Sequence, residues 1–421
     1  MTYEKTFALK GNIVFTPDYN KMEIHENSYL VCKNGAVKCI TKKEPENIPI
    51  YDMGNKIIIP GMTDLHMHAP QYTYRATGMD LELLDWLESS AFPEETRYAD
   101  NEYALKAYSI FTEDLVKSPT TRAVIFATVH KEATLILMDM LEKSGLITMV
   151  GKVNMDRLCP DTLKEDTSKS AQDTAEWAER STYFKRTTPI ITPRFIPSCT
   201  DELLNELGKI RKKYSLPVQS HLSENLSEIE LVKELAPYSS FYGDAYNHFG
   251  LFGKDHKNVM AHCVHSSDEE LELIKQNDVF IAHCPQSNIN VSSGIAPVRK
   301  YMDKGLNLGL GTDIAGGFSI SMFRAVSDAI QVSKLRWRLV DQSLKALNFN
   351  EAFYMATKGG GKFFGNTGSF EEGYDADILV LDDSFIKSAR PFSIAERLER
   401  IIYLSGNEAV VSKYVKGTKI F

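Results

Sequence analysis

A basic surplus, paired cysteines and long apolar runs are all missing from this chain. Lysine and arginine number 48 against 56 aspartates and glutamates, a formal net charge of −8. That balance disfavours nucleic acid and anionic membrane as partners, since both select for basic surface. The six cysteines, Cys32, Cys39, Cys159, Cys199, Cys263 and Cys284, form no C-x-x-C pair. A disulfide scaffold and a thiolate zinc site are therefore disfavoured, and reduced, mostly buried thiols are expected. No apolar run approaches the ~20 residues needed to cross a bilayer. Nor does an apolar segment follow Met1-Thr2-Tyr3-Glu4-Lys5-Thr6, so no signal peptide is expected and the chain is placed in the cytoplasm as a soluble protein. Internal repeats, low-complexity tracts and long charge runs are absent too. What is there, 421 residues at 43% apolar and 25% charged, suffices for one large domain with a sizeable core plus a smaller one.

The texture changes along the chain. Near the N-terminus Phe7, Leu9, Ile13 and Phe15 are unevenly spaced, but Tyr29 to Cys32 and Ala36 to Ile40 flank Asn34-Gly35. Asn-Gly between two short apolar runs is a strong hairpin signal. The C-terminal end returns to this texture: Ile378-Leu379-Val380-Leu381 has the look of a short buried strand, and Val410 to Val415 with Gly417 suggests a closing hairpin. The two ends are expected to pair as one small β-sandwich, residues 1–60 and 366–421, with residues 61–365 inserted between them. In that middle region apolar runs alternate with helical segments. Candidate strands are Ile57 to Pro60 running into Thr63 to His66, Ala123 to Val129, Ile147 to Val153, Ile190 to Phe195, Val218 to Leu222, Val259 to Cys263, Val279 to Cys284 and Leu306 to Gly311. Thr200 is expected to cap a helix at Asp201, and Ser227 and Ser267 each precede a glutamate by three residues, the capping-box spacing. Eight β/α units predict an α/β chain with a TIM-like (β/α)8 barrel.

Metal-binding side chains follow several of these apolar runs. His66 and His68 end Thr63-Asp64-Leu65-His66-Met67-His68, His221 ends Pro217-Val218-Gln219-Ser220-His221, and Asp313 follows Gly309-Leu310-Gly311-Thr312. Residues so distant in sequence, all at strand ends, converge on the C-terminal face of a closed parallel barrel, where chemistry is built. Alternation along a strand puts both imidazoles of His66-x-His68 on one side. Three imidazoles and a carboxylate form a ligand set for a divalent transition metal with a position open to water. The competing reading of Asp313 is a helix N-cap, but Gly316-Gly317 places such a cap poorly. Glu224 lies three residues after His221, before the next helix, within reach of the same face; its plainer reading is a solvated loop carboxylate. His262 follows the same rule as a fifth candidate, whether as ligand, substrate contact or core histidine. His283 is similarly placed with a weaker claim. Gly359-Gly360-Gly361-Lys362 lacks the spacing and hydroxyl of a phosphate loop and is read as a helix C-terminal turn. Neither a Gly-x-Ser-x-Gly elbow nor the H-x-E with P-C-x-x-C pattern occurs.

These motifs resemble the amidohydrolase superfamily, and within it the guanine deaminases, over nearly the whole chain. The superfamily marks are Pro60-Gly61-Met62-Thr63-Asp64-Leu65-His66-Met67-His68, Gly311-Thr312-Asp313 and Glu372-Gly373-Tyr374-Asp375-Ala376-Asp377-Ile378. More specific are Ala69-Pro70-Gln71-Tyr72, Gly151 to Arg157, Thr192-Pro193-Arg194-Phe195 and Gln219 to Asn225. A bridging lysine on the fourth strand, as binuclear relatives carry, has no match, because Arg194 and Phe195 stand there. The resemblance implies a single divalent metal, Zn2+ with Fe2+ as the alternative, held by His66, His68, His221 and Asp313. It implies a small purine as substrate, a homodimer, and hydrolytic removal of an amino group. Glu224 and Asp313 would then carry protons, His262 would bond the reacting centre, and Gln71, Arg194 and Phe195 would contact the base. Ile196-Pro197 departs from the family pattern and is expected to reshape the loop beside the pocket. The alternatives are a hydrolase of another amino- or chloro-substituted heterocycle (pterin, triazine or other purine) and a metal-binding scaffold without catalysis.

Overall fold

Four strands open the chain: β1 (Thr6–Asp18), β2 (Lys21–Lys33), β3 (Ala36–Thr41) and β4 (Ile50–Pro60). The computed structural model describes residues 6–421. Between β2 and β3, Asn34 and Gly35 have φ of 52° and 82°. Both central positions are left-handed, the geometry whose twist matches that of the flanking strands. After β4 come the barrel strands β5 (Met62–His68), β6 (Thr120–Phe126), β7 (Ile147–Gly151), β8 (Val153–Asn154), β9 (Thr187–Pro189), β10 (Thr192–Pro193), β11 (Val218–Leu222), β12 (Asn258–His262), β13 (Phe280–His283) and β14 (Asn307–Leu310). They form two parallel four-stranded arcs, β5-β6-β7-β9 and β11-β12-β13-β14, with β8 paired to β10. Backbone bonds close the ring. Gln219 N–H donates to Ile191 O at 3.0 Å on one side, and Asp313 N–H donates to His66 O at 2.8 Å on the other. Every residue of β5, β6, β11, β12 and β13 is buried, as a parallel sheet covered by helices requires. The barrel is the (β/α)8 fold that the strand count predicts.

The closing strands β15 (Ile378–Leu381), β16 (Val410–Val415) and β17 (Thr418–Lys419) join the opening ones in a single seven-stranded sheet, ordered β17-β16-β15-β4-β1-β2-β3. Period-two alternation divides its residues between two cores. Ile58, Ile378 and Val380 pack with Phe7, Leu9 and Phe370, whereas Ile57, Ile59, Leu379 and Leu381 face the barrel helices. The apolar run from Ile57 into His66 is thus not one strand. Residues up to Pro60 belong to this sheet, and the barrel begins at Met62. The Asp375-Ala376-Asp377 motif ties the two parts together: Arg122 of β6, 3% exposed, bonds Asp377 through Nε at 2.6 Å and Asp375 through Nη2 at 2.7 Å. A second tie is Lys413 of β16, whose buried ammonium donates to the carbonyls of Leu115, Val116 and Thr120.

Helix starts agree with the sequence reading at Thr200 and Ser267 and differ at Ser227. Thr200 Oγ1 accepts from Leu203 N–H at 3.2 Å. The helix Leu226–Leu235 is capped by Asn225, not Ser227: Asn225 Oδ1 accepts from Ser227 N–H, and the carboxylate of Glu228 takes the N–H groups of both Glu224 and Asn225. Ser267 does cap Asp268–Gln276, but Glu270 completes no box. Its carboxylate instead accepts from Ser223 Oγ and Gly243 N–H, holding the loop behind the site.

Candidate metal centre and its cleft

Strands β5, β11 and β14 end on one face, and their terminal side chains meet there. The Nε2 atoms of His66 and His68 lie 3.3 Å apart, those of His68 and His221 3.2 Å. Asp313 Oδ1 is 3.1 Å from His66 Nε2 and 3.4 Å from His68 Nε2. Ligand atoms ~2.1 Å from a shared cation at tetrahedral angles stand ~3.4 Å from one another, so the donor set fits a transition metal. All four side chains are buried. Burial lowers the pKa of His66 and drives those of His68 and His221 well below the ordinary imidazole value, which leaves lone pairs free to bind. His221 Nδ1–H donates to the Arg194 carbonyl at 2.6 Å, so its Nε2 is the bare nitrogen. Phe126, at the end of β6, packs its ring 4.6–5.0 Å from all three imidazoles and dries the site.

Local features hold this geometry. Asp64, within the His66 motif but not singled out there, is fully buried and accepts from His66 N–H, Thr312 N–H and Thr312 Oγ1 at 3.2, 3.1 and 2.6 Å. It thereby fixes the backbone beside a candidate ligand at the ends of two strands. Burial raises its pKa to about 7 despite the bonds from Thr312. A Cβ on Gly311 would stand 2.9 Å from both Cys284 Sγ and His66 Cβ, so only glycine lets β14 approach β5 this closely. Asp313 does not cap a helix, for the next one starts at Met322.

A cleft of about 440 Å³ opens beside this cluster. His68, His221 and Asp313 line it together with Glu224, His262, Gln71, Arg194 and Phe195, so each residue singled out in the sequence, apart from His66 and His283, reaches the same space. Glu224 is 4% exposed. Ser293 Oγ donates to its Oε1 at 3.0 Å, its Oε2 is 3.4 Å from His262 Nε2, and burial raises its pKa to about 7. His262 Nδ1–H donates to Asn288 Oδ1 at 2.8 Å, and its Nε2 also stands 3.7 Å from Asp313 Oδ2. Burial pulls the pKa of His262 down, but Glu224 and Asp313 outweigh it and the net direction is upward. His283 is buried with no partner for either ring nitrogen and its pKa is pushed down to about 3, first by burial and then by His262; it lies outside the ligand cluster.

The opposite wall carries what the sequence did not reveal. Arg194, 2% exposed, pairs with Glu95 at 2.6 Å and stacks on Phe92 at 5.0 Å. Gln71 Nε2–H donates to the other oxygen of Glu95 at 2.8 Å, while its Oε1 accepts from Ala315 N–H at 3.2 Å. The amide is thus oriented from both ends and retains one N–H. Leu83, Trp86 and Leu87, from the segment that follows β5, form an apolar side of the cleft. Neither Glu95 nor this segment carries a local signal. The Ile196-Pro197 departure becomes one 3-10 turn, Ile196–Ser198, and Arg157 pins it by donating to the carbonyls of Ile196, Pro197 and Cys199.

Comparisons with known proteins agree with this geometry. The model of the amidohydrolase family matches residues 57–420. Guanine deaminase of Dictyostelium discoideum is 37% identical over 442 residues, covering 98% of this chain and 97% of that protein. Guanine deaminase of Rattus norvegicus is 37% identical, covering 98% and 92%. Among solved structures, guanine deaminase from C. acetobutylicum with guanine in its active site superposes with a TM-score of 0.96 at 49% identity, covering 99% of this chain and 100% of that chain.

Proposed function

The chain belongs to the amidohydrolase family, and from that membership we infer that it is a hydrolytic deaminase converting guanine and water to xanthine and ammonia. One observation of geometry carries the reading: a single cleft gathers a three-imidazole-and-carboxylate cluster, a carboxyl group with pKa near 7, and a buried arginine–glutamine pair across from them. The C2–N bond to the amino group breaks and a C2–O bond forms. His66, His68, His221 and Asp313 would hold one divalent metal; the donor set suits zinc, with Fe2+ as the alternative. Such a metal, when bound, acts as a Lewis acid and brings the pKa of water to about 7. Asp313 Oδ2, turned toward His262, takes the proton of the attacking water. Glu224 delivers its proton to the ring nitrogen beside C2, takes up the hydroxyl proton released as the C2 carbonyl forms and passes it to the departing amine, and the proton held by Asp313 then restores Glu224, a role that needs both protonation states near neutrality. His262 donates to the developing tetrahedral centre. Arg194 and the remaining Gln71 N–H bond the acceptor edge of the purine, including O6, and Phe195 flanks the ring.

The division at residues 60 and 365 into a terminal unit, expected as a β-sandwich and built as one seven-stranded sheet, and a catalytic barrel belongs to the same reading. So do a cytoplasmic location, which suits six free cysteines, and a homodimer, to be checked by light scattering. The functional test is purified protein with guanine, following ammonia and bound metal together, against adenine, cytosine, a pterin and a triazine. Guanine should exceed adenine by about 10²-fold or more, because a site built to bond a polar edge rejects ligands lacking it. Equal turnover of the two purines overturns the assignment.

A further inference from the structure

We infer that Glu95 sets the charge of the substrate edge: by neutralising Arg194 it makes the cleft accept an uncharged lactam carbonyl and reject purine anions. The inference rests on the purine reading above and adds a specificity determinant to it. Glu95 is 1% exposed and does not line the cleft, yet both of its oxygens are spent on side chains that do, Arg194 Nη1 at 2.6 Å and Gln71 Nε2 at 2.8 Å. Its neighbour Glu94 behaves differently and bonds Thr73 and Tyr103 instead. Arginine keeps its charge in proteins. A buried guanidinium with no carboxylate beside it would attract any anion able to enter, and in a poorly solvated site that attraction amounts to orders of magnitude in binding. With Glu95 in place the pair is neutral overall, and Arg194 offers directional N–H groups without net charge. Gln71, held at its other end by Ala315 two residues beyond Asp313, extends the same carboxylate's hold to the second reader of the purine edge. Glu95 is therefore a positioning residue that acts through Arg194 and Gln71.

The metal-loaded enzyme tests this with two purines that cannot be deaminated at C2: hypoxanthine, neutral with a 6-oxo group, and urate, a monoanion at neutral pH. Glu95→Gln is expected to tighten urate at least about tenfold relative to hypoxanthine. It should also raise KM for guanine about tenfold or more, leave kcat within about threefold, and leave metal content unchanged. Glu95→Asp, which retains the charge, should keep urate excluded while guanine KM rises. A urate-to-hypoxanthine ratio within about twofold of wild type in folded Glu95→Gln, with only thermal stability altered, overturns the inference. If Glu95→Gln does not fold, Arg194→Gln gives the converse: an unpaired Glu95 must weaken urate relative to hypoxanthine by about tenfold, and an unchanged ratio overturns the inference. Wild-type protein that ignores guanine but shows these ligand shifts sinks the functional reading alone.

Discussion

Replacing Glu224 by glutamine should cripple the enzyme and stabilise the fold at once. The amide keeps the shape, and Ser293 Oγ, now 3.0 Å from Oε1, can still donate to it. What is lost is the exchangeable proton. Removing a positioned acid/base costs ~10²–10⁴-fold in kcat, or roughly 3–5 kcal/mol of barrier. Stability moves the other way, because burial lifts the carboxyl from 4.5 to about 7. At ~1.4 kcal/mol per tenfold change in acidity, the buried carboxylate costs the fold about 3 kcal/mol. The sign follows from linkage. The folded pKa lies above the unfolded one, so the native state holds the proton more tightly. The penalty is absent below about 4.5, grows between the two values and is complete above about 7. The measurement is denaturant unfolding of metal-stripped wild type and Glu224→Gln at pH 5 and pH 8, beside steady-state kinetics of the loaded proteins. Glutamine should gain little at pH 5 and a few kcal/mol at pH 8, with metal content and guanine binding retained. The reasoning fails if the stability gain is the same at both pH values, or if kcat stays within about threefold of wild type. In the latter case the proton travels by another route, with Asp313 the first residue to try.

Four other substitutions probe the site and the frame that holds it. His66→Ala or His221→Ala should abolish nearly all activity and most bound metal; elemental analysis finding about one equivalent in both variants removes this cluster from consideration. Asp64→Ala, which frees the backbone beside His66 and Thr312, should weaken metal affinity by about 10–100-fold in a chelator competition without removing any ligand. Arg122→Ala strands Asp377, buried at 1% exposure, and should cost about 3–5 kcal/mol in denaturant unfolding while kcat of the surviving folded protein changes little.

The barrel and the meeting of His66, His68, His221 and Asp313 on one face were legible because their signals are local. A histidine or aspartate ending a short apolar run is visible without knowing what lies across the barrel, and the ring closure then brings β5, β11 and β14 together. Asn34-Gly35 was legible for the same reason, since a two-residue turn demands its own backbone conformation. Gly61 hid a change of sheet, because Ile57 to Pro60 and Met62 to His68 are equally apolar on either side of it. Asn225 was passed over for Ser227 because both are good caps and only the tertiary position of Glu228 decides between them. Glu95 was invisible. A glutamate in a charged helical stretch is ordinarily solvated, and it becomes buried here only because the segment after β5 folds across the cleft onto Arg194. Asp64 was quoted within a motif, but its service to Thr312 is a contact between residues 248 positions apart.

The place of β4 in the terminal sheet has a consequence for the order in which the protein can assemble. One edge of β4 pairs with β1 early, but the other receives β15, with Ile58 opposite Val380. On a ribosome, about 320 further residues must emerge before that edge is covered, roughly 15–60 s at ~5–20 residues per second. Throughout that interval Ile57-Ile58-Ile59 is an apolar strand with one edge unpaired, the kind that recruits strands from other chains. The barrel can close meanwhile on nearer partners, so the last event is a docking of the C-terminal strands onto a waiting template, secured by Arg122 and Lys413. A nascent chain is therefore exposed to aggregation at a sheet outside the barrel that carries the cleft, and a holdase that shields β4 should improve its yield more than one that shields the cleft.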